Sequence, residues 1–236
     1  MLLCPEHLTY LLRIADGSLI LGQRLAECCG HGPVVEEDIA SANIALDLLG
    51  QARLLYTHAG AIEGAGRDED AFAYWRDEQA FFNPTLVELP NGDFARSVLR
   101  TYLYVSYQQT LWPVLARSRD NELAAIAEKS AKETRYHVDH LGTWVIRLGD
   151  GTDESKRRMQ CALDTLWPYT HELFATDAID CAALNAGIGS DANRLLAGWQ
   201  DAVSAVLVTA TLNLPPASPF QSAGKTGVHS EHLGFL

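Results

Sequence analysis

The chain has 236 residues, 47% of them hydrophobic, with 30 Asp and Glu against 18 Lys and Arg. That apolar content supports a sizeable core and excludes a disordered polypeptide. The formal charge of -12 excludes nucleic acid and anionic membranes as partners, because both need clustered Lys and Arg. The acidity reads first as a solubility feature, and second as an acidic face for a basic partner.

No linker rich in Gly, Pro or Ser and no internal repeat interrupts the chain, so residues 1–236 read as one domain. The five cysteines are odd in number and include the vicinal pair Cys28-Cys29, which favours reduced thiols in a cytosol. Met1-Leu2-Leu3-Cys4 lacks the charged and apolar regions of a lipoprotein leader. The longest apolar stretch, Ala202 to Leu214, is too short and too polar to span a bilayer. These features together predict a soluble, cytoplasmic protein.

The periodicity is helical almost throughout. Leu8, Leu12, Ala15, Leu19 and Gly22 line one face of a first helix, which Gly30 and Gly32 end. Pro33 suits the first turn of a second helix, and Glu36, Glu37 and Asp38 favour the positive end of its dipole. Its inward stripe is Ile44, Leu48, Gln51 and Leu55, and Gly60, Gly64 and Gly66 close it. A short acidic helix is expected from about Asp68 to Gln79. Asp93 is a good N-cap for the next long helix, which carries Val98, Thr101, Val105, Gln108 and Trp112 on one face and Pro113 near its end. A fourth long helix begins near Asn121 and carries Ser130, Thr134, His137, Leu141, Trp144 and Leu148. Thr152 caps a fifth, expected to run to about Phe174, and a sixth spans roughly Asp191 to Leu212. The tail from Gly227 to Leu236 reads as the opening of a helix that is cut short. Long antiparallel helices with short loops predict an all-α bundle.

Two frames in this bundle bear on chemistry. In di-iron carboxylate bundles, two helices each project a Glu-x-x-His into the core. The matching frames here are Leu48-Leu49-Gly50-Gln51 and Thr134-Arg135-Tyr136-His137. One imidazole remains, and both glutamates are gone. Glu133 lies about 100° round the helix from Thr134, so a salt bridge is its expected role. Gln51 offers a neutral amide, a poor transition-metal ligand. A lone His on such a face is more often a hydrogen-bonded core residue than a ligand, and Asp47 reads as one half of a structural ion pair. Arg147 reads as a dipole partner near a helix C-terminus. His229 and His232, spaced i and i+3, are weighed as a metal pair against a helix start, and the second is favoured. The chain has no phosphate loop, nucleophile elbow or dinucleotide fingerprint.

Three stretches carry a resemblance: 16–25 (DGSLILGQRL), 43–53 (NIALDLLGQAR) and 144–152 (WVIRLGDGT). With Gly66-Arg67-Asp68-Glu69-Asp70 and Pro90-Asn91-Gly92-Asp93-Phe94, they make the chain resemble, over nearly its whole length, the C-subunit family of bacterial ring 1,2-phenylacetyl-CoA epoxidases. The resemblance implies a ferritin-like helical bundle with extra helices. It implies a sister relationship to a catalytic A subunit that carries the di-iron centre, fed with electrons from NADPH by a separate reductase. On that alignment Leu19 stands for the first-helix Glu, Leu48 and Gln51 for the next Glu-x-x-His, Val105 for the third-helix carboxylate, and Thr134 and His137 for the last Glu-x-x-His. Five of the six cannot serve, which implies a non-catalytic subunit with no metal or cofactor of its own. Its partners would be the A subunit and the other subunits of the complex, and alone it would be free to self-associate. Two other readings stay open: a di-metal enzyme with unrecognised ligands, and a stand-alone helical binding protein.

Overall fold

A computed structural model describes residues 5–236, and Met1 to Cys4 lie outside them. In chain order the helices are α1 (Pro5–Glu27), α2 (Val35–Glu63), α3 (Glu69–Tyr74), α4 (Thr85–Glu88) and α5 (Phe94–Leu115). They continue with α6 (Asn121–Gly149), α7 (Asp153–Leu166), α8 (His171–Phe174), α9 (Ala178–Ala186) and α10 (Ala192–Thr209). Among the described residues the β structure is limited to one isolated bridge, Ala223 to Val228. No helix among them is long and apolar enough to cross a membrane.

α1 and α2 pack as one hairpin and α5 and α6 as the other, and α2 also packs on α6. The connection from α2 to α5 is long and holds α3 and α4, the single crossover of a ferritin-like bundle. The remaining helices dress this frame. α10 lies on α5 and α6, where the Trp199 indole donates to the Leu103 carbonyl at 3.1 Å and stacks on Trp167.

Local chemistry sets the helix ends. Asp93 accepts from the Arg96 N–H, Asp120 from Glu122 and Leu123, and Thr152 forms a capping box with Ser155. Gly64 ends α2 in the left-handed region at φ 68°, which only glycine enters without strain. Gly17 serves a different need. A Cβ there would lie 2.1 Å from the Tyr104 hydroxyl oxygen, so glycine lets α5 approach α1.

Several sequence expectations need correction. α2 starts at Val35, after Pro33 rather than around it. The acidic helix stops at Tyr74, and Glu78–Ala80 follows as a 3-10 turn, because Arg76 turns inward. The fifth helix stops at Leu166, where Pro168 in the next turn has no N–H to give. α9 lies in a stretch where the sequence predicts no helix, and it starts on an Asp177–Asp180 capping box. The tail is not a helix start. It runs through two 3-10 turns, Gly224–Thr226 and Leu233–Phe235, and buries Leu233.

Two buried ionic clusters hold the extra segments to the bundle. In the first, Arg76 clamps Asp16 of α1 at 2.5 and 3.1 Å, and Asp16 also accepts from the Tyr56 hydroxyl at 2.5 Å and the Phe82 N–H at 2.7 Å. Asp16 is wholly buried, and four donors satisfy it. In the second, Glu88 of α4 accepts from Asn83 at 2.9 Å, the Ser230 N–H at 2.6 Å and His229 at 2.8 Å. The other His229 nitrogen faces the Phe81 carbonyl at 2.9 Å. Both partners of this ring are acceptors, so the geometry selects the doubly protonated imidazolium. Burial pulls the His229 pKa down, but Glu88 and the Phe81 carbonyl outweigh it and leave it raised. Glu88 is lowered, because the donors from His229, Ser230 and Asn83 outweigh its own burial.

Asp16→Asn should lower unfolding free energy by about 3 kcal/mol or more, since it leaves the Arg76 charge buried without a counter-ion. Urea denaturation of wild type and variant measures this, and a loss under about 1 kcal/mol would contradict the assignment. The tail clasp should depend on pH. A raised His229 pKa gives stability that is complete below the unfolded value of about 6.5 and is lost as pH rises through the folded value. The lowered Glu88 pKa sets the opposite limit, lost only as pH falls below the ordinary carboxylate range. Limited proteolysis within residues 213–236 should therefore be faster at pH 9 than at pH 6, and equally fast at both in His229→Ala.

Candidate functional site

The six sequence-derived positions come from all four long helices. Leu19 lies on α1, Leu48 and Gln51 on α2, Val105 on α5, and Thr134 and His137 on α6. All six side chains are buried. Leu19, Leu48 and Val105 belong to the continuous hydrophobic core and bring no donor atom.

The polar members are engaged with one another across the bundle. The Gln108 amide nitrogen of α5 donates to the Ser18 hydroxyl of α1 at 3.0 Å and to the Gln51 carbonyl oxygen of α2 at 3.4 Å. The Gln51 amide nitrogen in turn donates to Glu133 of α6 at 3.2 Å. One side chain from each long helix thus joins a single hydrogen-bonded chain. Nearby, the Trp112 indole donates to the Thr134 hydroxyl at 3.1 Å. Glu133 also meets Lys129 at 3.4 Å, so it serves both the surface and the interior. The Gln108 carbonyl oxygen is buried without a partner.

His137 is fully buried and donates from Nε2 to Asp47 of α2 at 2.9 Å. Burial lowers its pKa against the pull of Asp47, which keeps the ring neutral at pH 7. Its Nδ1 lone pair is buried and unpaired. A single imidazole lone pair does not hold a divalent ion against water. The amides, hydroxyls and imidazole of the centre, with the Glu133 carboxylate at its edge, are groups that fix helix register by their hydrogen bonds.

The other residues singled out in sequence lie elsewhere. Arg147 sits in the last turn of α6 with its guanidinium 5.5 Å from the Trp144 ring centre. His229 has both nitrogens committed in the tail clasp, so it does not pair with His232. Ser18 and the Gln51–Glu133 bond escape sequence reasoning. A serine inside an apolar stripe carries no spacing signal, and helical phase alone puts Glu133 on the outer face.

The outer side of α2 carries exposed apolar residues among polar ones. Val35, Ile39 and Leu46 repeat at intervals of four and seven and remain exposed, Val35 at 70% and Leu46 at 65%. Alongside, exposed Tyr136 of α6 stacks on His140, whose Nε2 meets Glu37 of α2 at 3.1 Å.

The sequence compares with known proteins over nearly its full length. It is 48% identical over 225 residues to the C subunit of the 1,2-phenylacetyl-CoA epoxidase of Escherichia coli (strain K12), a match that covers 95% of this chain and 90% of that protein. A family model described as phenylacetic acid catabolic protein matches residues 3–236, and the chain belongs to that family.

Proposed function

We propose that this chain is the C-type subunit of a phenylacetyl-CoA ring epoxidase in aerobic phenylacetate degradation, and that it is structural rather than catalytic. The observation that carries the second half is the donor set at the bundle centre. Three of the six positions are aliphatic, two are a neutral amide and a hydroxyl already hydrogen-bonded, and one is a neutral imidazole. Such a set does not fit a carboxylate-bridged pair of irons, which takes four glutamates and two histidines. In this reading the irons belong to a catalytic A subunit, reduced from NADPH through a separate reductase, in the cytoplasm.

The work of this chain is then mechanical. Iron ligands are buried charges that neighbouring helices must hold in place. A sister bundle with a closed centre that lacks the ligand set can brace those helices without competing for iron. The outer α2 face supports this use, because an exposed apolar stripe beside an aromatic residue is the composition of an interface centre. A permanent interface of this kind buries about 2,000 Å² or more. The same face would let the isolated chain self-associate.

Mixed with the catalytic subunit at micromolar concentration, the chain should co-elute with it, and iron should follow the catalytic subunit in metal analysis. Leu46→Glu should melt like wild type yet fail to co-elute, since a charge is placed in an apolar contact. Separate elution of the wild-type chains, with full turnover by the catalytic subunit alone, would overturn the reading.

His137→Ala should cost about 1–3 kcal/mol of stability by removing a buried hydrogen bond. Turnover of the assembled complex should be unchanged. A variant that melts and assembles normally but loses turnover would make His137 catalytic.

A further inference from the structure

A second cluster of donors lies at one end of the bundle, apart from its centre. His7 sits in the first turn of α1, His58 in the last turns of α2, and Asp120 caps α6. His58 Nε2 lies 2.6 Å from Asp120 Oδ2, and His7 Nε2 lies 3.0 Å from the same oxygen. Three ligand atoms, one from each residue, lie within 4.8 Å of one another. All three residues are half-buried. His58 is seven residues from Gln51, roughly 10 Å along α2.

We propose that His7, His58 and Asp120 form a site for one zinc ion that staples the ends of α1, α2 and α6, with water completing the coordination. The residue types fit. Two imidazoles and one carboxylate are zinc donors, and three protein ligands with one water is the arrangement of open zinc sites. A tetrahedral ion with bonds near 2.0–2.1 Å places its ligand atoms about 3.3 Å apart. The 2.6 and 3.0 Å separations would open, and the widest, within 4.8 Å, would close, to reach that spacing.

The carboxylate is already oriented. Asp120 Oδ1 accepts from the Glu122 and Leu123 N–H groups at 3.1 Å each, which fixes the group and turns Oδ2 toward the two rings. Both rings face the same carboxylate oxygen, but not equally well. His58 makes a regular bond to Oδ2. His7 Nε2 lies buried 3.0 Å from the same oxygen in a poorly aligned contact. An ion between the three groups gives that nitrogen a partner. The sequence distances from His7 to His58 and from His58 to Asp120 are 51 and 62 residues, so no local spacing announces the site.

The experiment uses the full chain without an affinity tag, stripped of metal and titrated with zinc against a chromophoric chelator. Cobalt(II) serves as the spectroscopic probe. One zinc per chain is expected at submicromolar affinity, with a melting temperature raised by about 5 °C at saturating zinc. Cobalt should give the intense visible bands of a tetrahedral site. His58→Ala and Asp120→Asn should each weaken zinc binding by about 100-fold or more. Asn keeps the helix cap, so the second variant stays folded. The proposal is overturned by absence of saturable one-to-one binding, or by binding that both variants retain. Binding lost in His137→Ala but kept in these two would put the metal at the bundle centre and overturn it as well.

Discussion

A polar group buried in a helical bundle has to find its partner inside the bundle, and the centre of this molecule is organised by that constraint. Ser18, Gln108, Gln51 and Glu133 meet it together, one from each long helix, with the Gln108 carbonyl oxygen left over. Each bond is modest, about 1 kcal/mol net, and leaving any of these groups unpaired costs more than a bond gains. The chain of bonds therefore constrains register more than it adds stability. Sliding one helix by a turn would strand two amides in an apolar core. Three of the four groups are neutral, and the fourth, Glu133, meets its counter-ion Lys129 at the bundle's edge. Carboxylates in the same places would need cations to hold them.

The same constraint appears at the edges in ionic form. Asp16 and Glu88 are buried acids, and each is surrounded by donors from the crossover and the tail. Arg76 and the Phe82 N–H bring the crossover between α3 and α4 onto α1, and His229 and Ser230 bring the tail onto α4. These segments are not helices that pack by a stripe. They are short turns and irregular chain, fixed by specific charges together with buried side chains such as Phe81, Leu86 and Leu233.

That distinction also decides what is legible in the sequence. The stripe of Ile44, Leu48, Gln51 and Leu55 can be read because a helix repeats every 3.6 residues, and all four are buried. The caps at Asp93 and Thr152 can be read because a cap acts on residues two or three positions away. The loss of donors at Leu48, Gln51 and Thr134 is visible in the letters alone. The bond between Asp47 and His137 spans 90 residues, and sequence reasoning assigns each side a role without naming the other. The tail misleads for the same reason. His229 and His232 have helical spacing, but the partner that fixes His229 is Glu88, 141 residues away.

The functional reading follows from where the polar and apolar surfaces fall. A metal enzyme of this architecture concentrates charge at its centre and must then be braced from outside. This chain has a different distribution, with a closed centre of amides, hydroxyls and aliphatic side chains and exposed Val35, Ile39 and Leu46 turned outward. The stripe lies on α2, the helix that also contributes Gln51 to the central chain of bonds and Asp47 to His137. A load applied to the outer face of α2 is therefore carried into the other three helices by hydrogen bonds. It does not depend on slack apolar contact. Rigidity behind an interface is what a bracing subunit supplies, because a soft surface would follow its partner's motions instead of limiting them.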